Sequence, residues 1–118
     1  VTELTATVHT SAGGHLFELA GHLDFRNVSY LREVVEGVEL GPGQQLIFDM
    51  SGLSFCDSTG LTVLVMARNR ALAAHAGFAL AAVSGRVARI FRVAGLDQVF
   101  SVYPSPEAAA EAWTRSAG

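Results

Sequence analysis

An α/β domain built on a mixed, largely parallel sheet is the fold class the sequence predicts. Two alternating apolar segments separated by Gly13-Gly14 open the chain as an antiparallel edge pair, and helical and strand-like patterns then alternate to the C-terminus. Such alternation supplies the crossover connections that parallel strands require. At 118 residues the chain has room for one core and little more, so a single domain over residues 1–118 is expected. The expected sheet has four to five strands and carries about four helices.

The elements follow in order. Leu4 to Val8 alternates as a strand, and Leu16-Phe17-Glu18-Leu19-Ala20 resumes the pattern up to Gly21. From Asn27, available as an N-cap, Val28, Leu31, Val34, Val35 and Val38 recur on one helical face, and this helix should stop near Gly41-Pro42-Gly43. Leu46-Ile47-Phe48 is too short for a helix and reads as a buried central strand. A long helix should start within Asp57-Ser58-Thr59-Gly60, run through Leu61 to Ala74 and end around His75-Ala76-Gly77, with Gly77 at the C′ position. Phe78 to Val83 is a further buried strand. Ser84 then caps a helix whose Val87, Ile90, Phe91 and Ala94 share a face, and Gly95 closes it. Val99 to Tyr103 is the last strand. Ser105 and Pro106 begin a terminal Ala-rich helix in which Trp113 covers the sheet.

Composition narrows the function classes. Half of the residues are apolar and only 16% are charged, so the chain can fold on its own. The lone cysteine, Cys56, forms no intramolecular disulfide, which fits a reducing compartment, and the cytoplasm is the expected location. A net charge of −3 with no dense basic run argues against direct nucleic-acid binding. The longest apolar stretch, Leu61 to Met66, is interrupted by Arg68-Asn69-Arg70 well short of a bilayer span, and Val1 to Ser11 lacks signal-peptide features, so no membrane association is expected. His9, His15, His22 and His75 lack zinc-site spacing, so no metal or other cofactor is expected. Ser58 lacks a Gly-x-Ser-x-Gly elbow, no Walker-type loop is present, and Cys56 has no neighbouring histidine in sequence, so no enzyme activity is expected.

The chemistry concentrates in Phe55-Cys56-Asp57-Ser58-Thr59-Gly60-Leu61. Asp57, Ser58 and Thr59 at a helix start can simply cap its free N–H groups. A hydroxyl there can also accept a phosphate, which would meet those same groups and the positive end of the helix dipole. The heptapeptide resembles the signature of bacterial anti-sigma-factor antagonists of the STAS family. Leu19-Ala20-Gly21-His22-Leu23-Asp24 is similar to that family's Gly-Glu-Leu-Asp segment, Leu46 to Ser51 to the strand before the phosphorylation loop, and Val87 to Leu96 to its late helix. The resemblance covers nearly the whole chain.

The resemblance implies a STAS fold and a protein that is switched by phosphorylation on Ser58, with Thr59 second as acceptor. Unphosphorylated protein would bind an anti-sigma factor with serine kinase activity and release the sigma factor, phosphorylation would end that binding, and a PP2C-type phosphatase would restore it. Asp24, Asp57, Ser58, Thr59 and Gly60 would form the partner surface, with Gly60 allowing close approach of the kinase. His22 replaces the family's usual glutamate, a change bearing on partner choice. Arg86, Arg89 and Arg92, three apart on one helix, read either as a solvated basic edge or as a surface for an acidic partner, with Arg89 the partner candidate. Two alternatives stand beside this: a STAS binding subunit of a signalling scaffold or lipid-transport complex in which Ser58 is only a cap, and a small enzyme acting through Asp57 or Ser58.

Overall fold

The computed structural model describes residues 3–117. Its elements run β1 (Leu4–Ser11), β2 (Gly14–Leu23), α1 (Val28–Glu36), β3 (Gln45–Cys56), α2 (Ser58–Ala73), β4 (Gly77–Ala81), α3 (Gly85–Val93), β5 (Val102–Tyr103) and α4 (Pro106–Ala117). The five strands lie side by side in sequence order. β1 and β2 pair antiparallel, with Val8 opposite Phe17, and all later pairs are parallel. The predicted class and the antiparallel edge pair therefore stand.

Alternation along the strands sorts side chains to two faces. Phe17 and Leu19 of β2, Leu46, Phe48 and Met50 of β3 and Leu80 of β4 join residues of α1, α2 and α3 in the main core. Ile47, Ala79 and Ala81 point the other way and meet Ala109 of α4. Three helices thus cover one face and α4 the other. Gly77 shows how closely α4 docks: a β-carbon there would lie 2.8 Å from the ring of Trp113, whose indole N–H donates to the Gly43 carbonyl at 2.8 Å.

Several boundaries differ from expectation, each for a local reason. α1 ends at Glu36, not near Gly41. Gly37 takes the C-cap, and Arg70 of α2 donates to the carbonyls of Glu36 and Val38, binding the latter at 2.6 Å. Asn27 precedes α1 but makes no side-chain cap; its amide instead accepts from Asp24 N–H at 3.0 Å and donates to the His22 carbonyl at 2.7 Å. His75, not Gly77, takes the left-handed position after α2, with φ of 59°. The His75 and Ala76 N–H groups then close onto the Leu72 and Ala71 carbonyls. Ser84, Gly95 and Ser105 serve as predicted at their helix ends. β5 shrinks to two residues because Phe100 turns into the core, its ring 5.5 Å from Phe91 and 6.0 Å from Phe78.

β3 is the largest departure. It runs to Cys56, far beyond Phe48, and it carries an extra residue against β2 at two places, after Asp49 and after Leu53. Each irregularity shifts the phase of the strand, so the core-facing residues are Leu46, Phe48, Met50, Leu53 and Cys56, with spacings of two, two, three and three. A period-two reading loses such a strand midway. The bend brings Cys56 beside Leu23 and delivers the start of α2 to the end of β2.

Phe48 sits fully buried at the centre, stacked on Phe17 at 5.0 Å and edge-on to Phe78 at 5.4 Å. Phe48→Ala should lower unfolding free energy in urea by roughly 3–5 kcal/mol, the range for deleting a buried aromatic side chain.

Candidate functional site

The β3–α2 turn meets the β2–α1 turn at one end of the sheet, and Asp57 joins them. Its Oδ1 accepts from the Gly60 N–H at 3.0 Å and from the Thr59 hydroxyl, while Oδ2 accepts from the Phe25 N–H of the neighbouring turn at 3.0 Å. The Asp57 N–H donates to the Leu23 carbonyl at 3.1 Å. Partial burial works to raise its pKa, but the hydroxyl of Thr59 and the N–H groups of Gly60, Phe25 and Thr59 outweigh it and leave the carboxyl below its ordinary value.

This arrangement separates the two roles that the motif leaves superimposed in sequence. Asp57 is the N-cap of α2. Thr59 gives its hydroxyl to Asp57. Ser58, the first residue of the helix, is exposed, and its hydroxyl makes no hydrogen bond among the described residues; only its carbonyl is engaged, by Thr62. Gly60 is buried, and a β-carbon there would stand 2.7 Å from Leu23 Cγ and 2.8 Å from Cys56 Sγ. Close packing within the molecule is therefore what requires this glycine.

Asp24 lies in the β2–α1 turn beside this junction. It is only 5% exposed, and its two oxygens take the Arg26 guanidinium through Nε at 3.2 Å and Nη2 at 2.7 Å, with the Arg26 N–H adding a third donor at 3.0 Å. The Arg26 side chain holds this carboxyl below its ordinary pKa. Asp24 thus organises the β2–α1 turn and does not face outward as a free charge. His22 packs its ring 5.7 Å from Phe55. Cys56 is buried, and desolvation, assisted by the Asp57 charge, pushes its thiol up to about 12, which suits a packing residue and not a nucleophile. The other histidines are also engaged: His9 with Glu18 at 2.8 Å, His15 with Thr10 and the Glu39 carbonyl, and His75 at its helix end.

Beside Ser58 lies a groove of about 550 Å³ lined by Leu61 of α2 and by Arg86, Arg89, Ile90, Val93 and Ala94 on and after α3. The structure brings Arg86 and Arg89 to this groove with Ser58; Arg92 does not line it. Two apolar residues here escaped sequence analysis. Val93 is 82% exposed in the groove and lies off the face of α3 that carries the periodic pattern; Phe25 is 72% exposed and bonded through its backbone to Asp57. A large aromatic in a turn with no periodic partner was the one available signal for Phe25.

A family model described as the STAS domain matches residues 4–109. The anti-sigma-B factor antagonist of Listeria monocytogenes is 29% identical over 84 residues, covering 71% of this chain and 74% of its own. Among solved structures, an anti-sigma factor antagonist from Mycobacterium paratuberculosis is similar with a TM-score of 0.83 at 24% identity, covering 96% of both chains. The anti-sigma factor antagonist SpoIIAA in its unphosphorylated form is similar with a TM-score of 0.73 at 21% identity over 97% of both.

Because the Asp57 pKa is lowered in the fold, its contribution to stability is complete above the ordinary aspartate value of 3.8 and fades as pH falls through the folded value. Asp57→Ala should therefore cost about 0.5–2 kcal/mol at pH 7, the range for a cap replaced by alanine. Urea melts from pH 7 down to pH 2 should show the gap between wild type and variant closing at the acid end. Cys56 should resist iodoacetamide at pH 8 in the native protein and react once urea unfolds it, as followed by intact mass.

Proposed function

This chain belongs to the STAS domain family, and we propose that it works there as an anti-sigma-factor antagonist whose partner binding is switched off by phosphorylation of Ser58. The observation that carries the reading is the division of labour at the start of α2. Asp57 caps the helix and takes up the Thr59 hydroxyl, which leaves the exposed Ser58 hydroxyl as the uncommitted one in the motif. The names of the relatives supply the class of partner, an anti-sigma factor.

In the unphosphorylated state the surface around Ser58 is mostly apolar, with Leu61, Ile90 and Val93 in the groove and Phe25 beside Asp57, and it is edged by Arg86 and Arg89. Exposed aromatic and aliphatic side chains of this kind anchor protein interfaces. A partner that is an anti-sigma factor with serine kinase activity would seat here. Its ATP would give up the γ-phosphoryl to Ser58 Oγ, ADP would leave, and the hydroxyl proton would pass to a base of the kinase. The modification adds about −1.5 to −2 charges at one point. Burying that charge against the partner combines desolvation with repulsion from Asp57 and from the partner's nucleotide, a penalty of several kcal/mol. A PP2C-type phosphatase would return the serine by hydrolysis. Asp24 contributes indirectly, since its carboxylate is already matched by Arg26.

The test is affinity for an anti-sigma factor with serine kinase activity from the same organism. Ser58→Ala should bind as tightly as unmodified wild type and resist ATP-dependent release, while Ser58→Asp should bind at least tenfold more weakly. Peptide mapping after reaction with kinase and ATP should place the phosphate on Ser58. Phosphate on Thr59 alone, or loss of affinity in Ser58→Ala, would contradict the proposal.

A further inference from the structure

We infer that a phosphate on Ser58 is held within the same molecule by Arg86 and Arg89, so that phosphorylation withdraws from the partner the two cations at the rim of its docking groove. The inference deepens the reading of Ser58 as phosphoacceptor and rests on it. Ser58 starts α2, the arginines belong to α3, and all three line one groove.

Three observations point the same way. Arg86 and Arg89 are three apart on α3, hence on one side of the helix, and neither guanidinium has a hydrogen bond or ion pair among the described residues. α3 carries three arginines and no acidic residue. Arg86 also stands in the first turn of α3, where the positive end of the helix dipole disfavours a cation by about 0.3–1 kcal/mol. An anion delivered to this groove would relieve that arrangement. A phosphoserine dianion offers three acceptor oxygens, and guanidinium groups engage such oxygens through paired N–H donors, the stronger class of hydrogen bond.

The consequence is a switch in which the covalent phosphate competes for the groove rim from inside. Repulsion at Asp57 and removal of the arginines then act together, and the fold around the groove need not change.

The experiment installs phosphoserine at position 58 during synthesis and follows its second ionisation by phosphorus NMR titration. Free phosphoserine ionises near pH 6. In the otherwise unmodified protein the midpoint should lie below that of the Arg86→Ala/Arg89→Ala double variant by roughly one pH unit, a tenfold difference in proton affinity. Arg92→Ala, whose side chain does not line the groove, should leave the midpoint unchanged. Circular dichroism melts confirm that each variant is folded. Equal midpoints in the parent and the double variant would overturn the clamp even if a kinase modifies Ser58. A shifted midpoint would support it even if no kinase acts there, because the phosphate is introduced without one.

Discussion

The carboxylate of Asp57 binds two turns at once. One oxygen closes the first turn of α2 through Gly60 and Thr59, and the other holds the backbone of Phe25 in the β2–α1 turn. Ser58 stands exposed because its neighbours on both sides are committed to this bonding. The Phe25 side chain is thrust outward for the same reason, its N–H being fixed against Asp57. The positions of the exposed Ser58 hydroxyl and of the exposed Phe25 ring thus both descend from one half-buried acceptor.

That junction depends in turn on how β3 is built. Two extra residues in β3 bend it and reset its phase, so that Leu53 and Cys56 rejoin the core face and Asp57 arrives beside Leu23. Below it, Gly60 admits Leu23 and Cys56 to less than the distance any side chain would permit. The buried ends of β2, β3 and α2 form a rigid base, on which the exposed Ser58 and Phe25 are carried. A modification added to such a surface alters what the surface binds more readily than it alters the fold.

The charge pattern separates into two kinds. Asp24 and Arg26 satisfy each other within the β2–α1 turn, whereas Arg86 and Arg89 line an apolar groove without acidic neighbours on their helix. The first pair maintains the turn; the second leaves positive charge along the groove.

Much of this was legible in the residues. The Gly13-Gly14 turn, the caps at Ser84 and Ser105 and the Asp57-Ser58-Thr59-Gly60 helix start depend on neighbours a few positions away, so local pattern sufficed for the α/β order, while Ser58 as candidate acceptor came from the resemblance of Phe55 to Leu61 to the STAS signature. Local pattern failed wherever a distant residue decided the outcome. Arg70 helped end α1, Trp113 used the space left at Gly77, and the bulges of β3 answered to β2. The hold of Asp57 on the Phe25 backbone and the meeting of Ser58 with Arg86 and Arg89 across α2 and α3 were decided by tertiary structure alone, because hydrogen bonds and grooves between segments some thirty residues apart leave no periodicity in the chain that forms them.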